Sequence, residues 1–253
     1  MKAVKILSVV AALALWTSTA RAALTINEVR IDQPGSDASE YFELAGIPGE
    51  SLNGVWFIAI GDTSTGSGSG FGDRSGGVET AIDLTGNVIK PDGHFLVAET
   101  TFGTGSLGLT GTVDLSLAPN AVNFENSDNR TFFLVTDFTG AVNDDLDDGS
   151  VNGDNDGILD VTPWTSIIDE LALIETPMPP ATLFDEWVYS SNQVGPDGTF
   201  VPGHVFRLPD ASGPWNIGGF FGGDDTPSAV NPEPATLALL GIGGLLVLRR
   251  RRR

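Results

Sequence analysis

The sequence predicts an all-β central region, and three observations carry that prediction. Short runs of branched and aromatic residues recur between clusters of Gly, Asn, Asp and Pro. In Glu40-Tyr41-Phe42-Glu43-Leu44, Phe42 and Leu44 alternate with Tyr41 and Glu43, as in a strand with one wet face. No stretch of about twelve residues or more between the two chain ends carries a helical apolar face. Strands are expected at Leu24–Val29, Tyr41–Leu44, Val55–Ile60, Ala81–Leu84, Phe95–Glu99, Phe132–Val135, Ile167–Ile174, Glu186–Tyr189 and His204–Leu208. Many short strands separated by turn signals favour an antiparallel β-sandwich. Thr63 to Gly77, rich in Gly and Ser, reads as a flexible loop.

The N-terminal element is of another kind. Lys2 and Lys5 precede an apolar run from Ile6 to Trp16, and Ala20-Arg21-Ala22 follows. A basic start, an apolar centre and a small-x-small site make a secretory signal peptide over residues 1–22, cut after Ala22. Residues 23–231 then form one domain, long enough to bury a substantial core.

The C-terminal element has three parts in order. Pro232-Glu233-Pro234 is followed by an uncharged apolar stretch from Ala235 to Leu248, then by Arg249 to Arg253. Residues 232–253 resemble the PEP-CTERM sorting signal of exported bacterial proteins, which an exosortase, a membrane-bound cysteine transpeptidase-like enzyme, processes. The resemblance implies that Pro232, Glu233 and Pro234 are the sorting motif. Leu237, Leu240, Leu245 and Leu248, with Arg249, Arg250 and Arg251, would anchor the precursor in the inner membrane. The exosortase would be a transient partner, and the product would reach the cell surface or an extracellular matrix. The physics suits a short-lived span. A helix over this apolar stretch is about 21 Å long at ~1.5 Å per residue, against ~30 Å of hydrocarbon. Arginine side chains reach some of the remaining distance, Gly241, Gly243 and Gly244 weaken the helix, and the arginines keep that end cytoplasmic.

Removing both end segments changes the charge. The chain has 13 basic and 33 acidic residues; residues 23–231 keep 5 and 32, a net −27. Such a surface repels nucleic acid and anionic lipid and attracts divalent cations. There is no cysteine, which excludes disulfides, a thiol nucleophile and thiolate metal sites.

A second resemblance runs through residues 23–231. Leu24-Thr25-Ile26-Asn27-Glu28-Val29 leads to Pro34-Gly35-Ser36-Asp37 and Glu40-Tyr41-Phe42-Glu43-Leu44. Leu52-Asn53-Gly54-Val55-Trp56 and Pro91-Asp92-Gly93-His94-Phe95-Leu96-Val97 follow, and Asp225-Thr226-Pro227-Ser228-Ala229-Val230-Asn231 closes the series. Together these resemble a bacterial lamin-tail domain, which implies an immunoglobulin-like sandwich and a non-catalytic adhesive or accessory role. The chain departs from that pattern where Ala45-Gly46 replaces an asparagine and Ser228 replaces the closing glycine.

Residues 144–160 are the strongest chemical feature. Asn152, Asp154 and Asp156 offer oxygens at alternate positions, Gly157 permits a turn, Ile158 supplies a carbonyl and Asp160 a further carboxylate. This resembles the calcium loops of thrombospondin type 3 repeats and dockerins, so a structural calcium is expected here. Pro163 stands where an EF-hand loop has its closing acid, so Asp144, Asp145, Asp147, Asp148, Asp169 or Glu170 must complete the shell.

Nothing in the sequence composes an enzyme. His94 and His204 read as turn or surface residues. Gly66-Ser67-Gly68-Ser69-Gly70 has the letters of a nucleophile elbow inside a flexible loop. Acid pairs such as Glu40 with Glu43, Asp169 with Glu170 and Asp185 with Glu186 are unavoidable at this acidity. The expectation is therefore a non-enzymatic, structural or adhesive module that meets extracellular polysaccharide or surface proteins. The alternatives are a carbohydrate-binding module using Trp56, Trp164, Trp187 and Trp215, and a secreted hydrolase.

Overall fold

A computed structural model describes residues 24–62, 75–122, 124–147, 156–177 and 187–229. Among them the protein is all-β, with no helix. The strands are β1 (Thr25–Arg30), β2 (Tyr41–Ala45), β3 (Val55–Asp62), β4 (Ser75–Asp83), β5 (His94–Glu99), β6 (Leu115–Leu117), β7 (Arg130–Thr136), β8 (Ser166–Leu173), β9 (Gln193–Val194), β10 (His204–Arg207) and β11 (Trp215–Ile217). They form two sheets, in the orders β11-β10-β1-β2-β5-β6 and β4-β3-β7-β8-β9.

The sheets are mixed rather than antiparallel as expected. β6 pairs parallel to β5, and β9 parallel to β8. Both are short edge strands reached by long excursions, which is how a chain returns to a sheet in parallel sense. The expected strand at Glu186–Tyr189 is also corrected: residues 187–190 form no strand. Backbone N–H groups there donate to side chains instead, Trp187 to Ser75 Oγ at 2.7 Å and Tyr189 to Thr131 Oγ1 at 3.0 Å. Ser75 to Gly77, expected in the flexible loop, belong to β4.

One core joins the sheets. Phe42 of β2 stacks on Phe57 of β3 at 3.8 Å between ring centroids, and Phe57 in turn meets Phe132 at 5.5 Å. Leu44, Phe95 and Val97 from one sheet and Leu134, Leu171 and Leu173 from the other complete a fully buried layer. Period-two alternation supplies these residues except in β1, where a bulge between Ile26 and Glu28 shifts the register against β2. The bulge lets Ile26 and Val29 both face the core and turns Glu28 and Arg30 to the other side.

That other side is not wet. Tyr41, Glu43, Glu28 and Arg30 are all fully buried, which corrects the expectation of a solvated face on β2. Phe102, Leu109 and Val113 from the excursion after β5 cover Tyr41, Leu96 and Ala98. Residues 225–228 lie over Glu28 and Glu43. The outer face of the second sheet is covered too, where Ile58, Ile60, Phe133 and Val135 meet Phe138, Leu146 and Trp164.

Candidate functional site

The outer face of β1, β2, β5 and β10 carries a buried cluster of charged side chains. Glu28 stands at its centre. Its Oε1 accepts from His204 Nε2 at 2.8 Å, from the Thr226 amide at 3.1 Å and from the Tyr41 hydroxyl, and its Oε2 accepts from Thr226 Oγ1 at 3.0 Å. Arg30 forks onto Asp225, with Nε 2.5 Å from Oδ1 and Nη2 2.8 Å from Oδ2. Glu43 accepts the Ser228 amide at 2.5 Å and Asn27 Nδ2 at 3.0 Å. Asn27 Oδ1 accepts the Ala211 amide at 2.8 Å. Burial pushes the Glu43 carboxyl up to about 8, against the opposing pull of His94.

Both histidines are buried, not at the surface as expected. Each lies at the start of a strand, but the covering segments close over it. The Pro91-Asp92-Gly93 turn, with Gly93 at φ +93, delivers His94 onto the buried face. Its Nε2 lies 3.5 Å from Asp210 and 3.9 Å from Glu43. Burial lowers the His94 pKa, but the hydrogen bond to Asp210 and the charges of Glu43 and Asp210 outweigh it, and the net shift is upward.

Among the described residues, one trio of acid or histidine ligand atoms lies within 4.8 Å of one another: Glu28, His204 and Asp225. These atoms are already engaged by Arg30, Tyr41 and Thr226. A metal there would sit against a fully buried guanidinium, so the group is a hydrogen-bonded ion cluster. Sequence reasoning missed this cluster. Its signal was the run of polar residues at Asn27, Glu28 and Arg30, too many for one strand face without a bulge.

The acidic loop is anchored at its base. Leu146 donates its amide to Gly76 O at 2.9 Å, and the Asp160 amide donates to Leu146 O at 2.8 Å. Asp147 is fully buried. Its Oδ2 accepts Gly157 N–H at 3.0 Å and the Tyr189 hydroxyl at 2.8 Å, while its Oδ1 is buried with no partner. Burial raises the Asp147 pKa, with the Asp156 charge adding to the rise and hydrogen bonds from Tyr189 and from the Gly157 and Asp156 backbone opposing it. Gly157 takes φ +83, a turn conformation suited to glycine. Asp156 Oδ1 accepts the Ile158 amide at 3.0 Å, and the Ile158 side chain faces solvent. Asn152 and Asp154 lie outside the described residues. Asp156 and Asp160 do not join Asp147 in a trio within 4.8 Å.

The tryptophans pack against neighbouring side chains. Trp56, Trp164, Trp187 and Trp215 are all partly buried. Trp56 and Trp164 pack on Phe138, and Trp215 lies under Arg207 at 4.4 Å. The acid pairs are equally dispersed. Glu43 points into the outer cluster, whereas Glu40, three residues earlier, falls on the core side. Asp169 pairs with Arg207 at 3.1 Å, and Asp185 and Glu186 lie outside the described residues.

The last described residue, Ala229, stands close to the C-terminal signal read from sequence. Residues 232–253 match the PEP-CTERM protein-sorting motif. The chain carries an exosortase sorting signal. A protein with this signal is exported and recognised by an exosortase, and its place is the cell surface or the extracellular space. The sorting residues Pro232, Glu233 and Pro234, the apolar stretch, the arginines and the N-terminal segment 1–22 lie outside the described residues. No curated protein and no solved structure matches the chain.

Proposed function

We propose that the exosortase substrate matures into a lamin-tail-like, immunoglobulin-like β-sandwich, held in shape by calcium, with a structural or adhesive role at the cell surface or in an extracellular polysaccharide matrix. The sorting motif at residues 232–253 is the observation that carries this reading. The lamin-tail resemblance draws support from the way its scattered motifs meet. Glu28 of the opening motif and Glu43 of the second strand both receive the closing motif, through Thr226 and Ser228. Ser228, which replaces the closing glycine, has φ 60, a conformation that glycine adopts at less cost.

Sorting is tested in the source cell by replacing Pro232, Glu233 and Pro234 with alanine. The variant should stay in the membrane fraction with its tail uncut, while the wild type is processed and released from that fraction. Identical processing of the two would defeat the sorting assignment.

The calcium role draws on the unpartnered Asp147 Oδ1 at the base of the acidic loop. A buried carboxylate oxygen with nothing to accept is costly, and a cation removes that cost. The full chain in detergent should melt higher in calcium than in chelator. At a hundredfold excess over Kd the gain is about 2.7 kcal/mol, or roughly 5–10 °C for a domain of this size. The double variant Asp154→Ala with Asp156→Ala should lose most of that gain. No wild-type shift at all would remove calcium from the proposal.

A further inference from the structure

A second acidic place lies at the rim of the core, at the other end of β2 from the Gly93 turn. The β2–β5 ladder pairs Tyr41 with Ala98. One more step of the same register sets Glu40 opposite Glu99. Alternation puts Glu40 on the side of Phe42 and Leu44, and Glu99 on the side of Phe95 and Val97, so both acids face the rim of the core. Like charges directly opposite on one face of a ladder repel. Both residues are buried, Glu40 at 3% exposure and Glu99 at 7%.

Their hydrogen bonding is unequal. Glu99 Oε1 accepts the Val122 amide at 2.9 Å, and its Oε2 accepts Thr101 Oγ1 at 3.3 Å. Glu40 accepts the Phe124 amide, but its Oε1 is buried with no partner. Arg130 faces Glu40 from β7, yet its guanidinium is engaged with Glu79 at 3.1 Å and Glu125 at 3.3 Å. Burial most of all, with Asp37 and Glu99 adding to it and Phe124 and Arg130 opposing, pushes the Glu40 carboxyl up to about 9.

A cleft of about 450 Å³ opens on this pair. Its polar lining is Ser36, Asp37, Glu40, Glu99, Thr101 and Asn120, each of which offers an oxygen. An oxygen-only donor set selects hard cations, and a roomy, irregular set selects calcium over magnesium. Asp37, Glu40 and Glu99 do not converge within 4.8 Å of one another, so an ion would keep some of its water between them. The cleft has room for several waters at ~30 Å³ each.

We propose that this rim cleft binds a hydrated calcium ion, with Glu40 and Glu99 as its carboxylate ligands. Binding gives Glu40 Oε1 its missing partner. The site shares no residue with the 144–160 loop and stands independently of it.

The test is calorimetric titration of calcium into the full chain in detergent at pH 7. Glu40→Gln and Glu99→Gln should each lose one site or weaken it at least tenfold, with the fold intact by circular dichroism. The double variant Asp154→Ala with Asp156→Ala should keep that site. Wild-type stoichiometry and affinity in folded Glu40→Gln and Glu99→Gln would overturn the proposal. So would calcium binding that vanishes with the loop variant alone, which would leave the loop as the sole site. If Glu40→Gln fails to fold, Glu99→Gln decides, because Glu99 keeps its shape and its two neighbours as glutamine.

Discussion

Replacing Glu28 with alanine is expected to cost about 3–5 kcal/mol of folding stability and to free the segment that follows β11. The carboxylate is fully buried and receives Tyr41, His204 and both donors of Thr226. Removing it strands each of those donors in a place that water does not reach, and an orphaned buried donor costs about 1–3 kcal/mol. It also leaves Arg30 and Asp225 beside a void. Glu28→Gln keeps the volume and loses the charge, so its cost should be smaller. Urea unfolding measures the stability change, and hydrogen exchange at the Thr226 and Ser228 amides measures the release. A drop below about 1 kcal/mol with both amides still protected would show that the carboxylate is not the keystone of the clamp.

Stability should fall as pH rises from 5 to 8 in the presence of chelator, opposite to common acid denaturation. Glu43 and Glu40 are held protonated in the folded state, up to about 8 and about 9, from an ordinary value of 4.5. Between 4.5 and 8 the unfolded chain has released those protons and the folded chain still holds them. The unfolded state therefore binds fewer protons, and each carboxyl subtracts up to ~1.4 kcal/mol per pH unit across that window. His94 acts in the same direction. Its folded pKa is raised, so its contribution is full below the ordinary value and is lost as pH climbs through the folded one. Asp147 and Asp114 are raised too and act in the same direction, while the exposed Asp37 weighs little. Urea midpoints at pH 5, 6.5 and 8 check the sign, and Glu43→Gln should flatten the slope. A higher midpoint at pH 8 would mean that Glu43 and Glu40 are ionised in the folded protein.

The strands that the sequence disclosed were those with a run of apolar residues to disclose them. β1, β2, β3, β4, β5, β7, β8 and β10 overlap their expected positions. β6, β9 and β11 have three, two and three residues, too few for any period to register. They are strands only because a neighbouring strand offers them a free edge. The misjudged faces share one cause. Period-two alternation reports which side of a strand is polar, not whether that side is dry. Tyr41, Glu43, His94 and His204 were polar signals on a face that distant residues cover, and 225–228 come from the far end of the chain. The sorting motif needed no fold at all, because its three segments are adjacent in sequence and matched as such.

The clamp on residues 225–228 also decides how the domain bears load. β1 starts at Thr25 and the clamped segment ends beside the same strand pair, so the chain enters and leaves through one patch. A pull on the C-terminal tail reaches the domain first at Ser228 and Thr226. There it meets a few hydrogen bonds to Glu43 and Glu28 rather than a long ladder. Those bonds break in succession, like a zip fastener, before any strand is sheared. Under tension the outermost joint would yield early and lengthen the tether, and the sandwiched core behind it would stay whole.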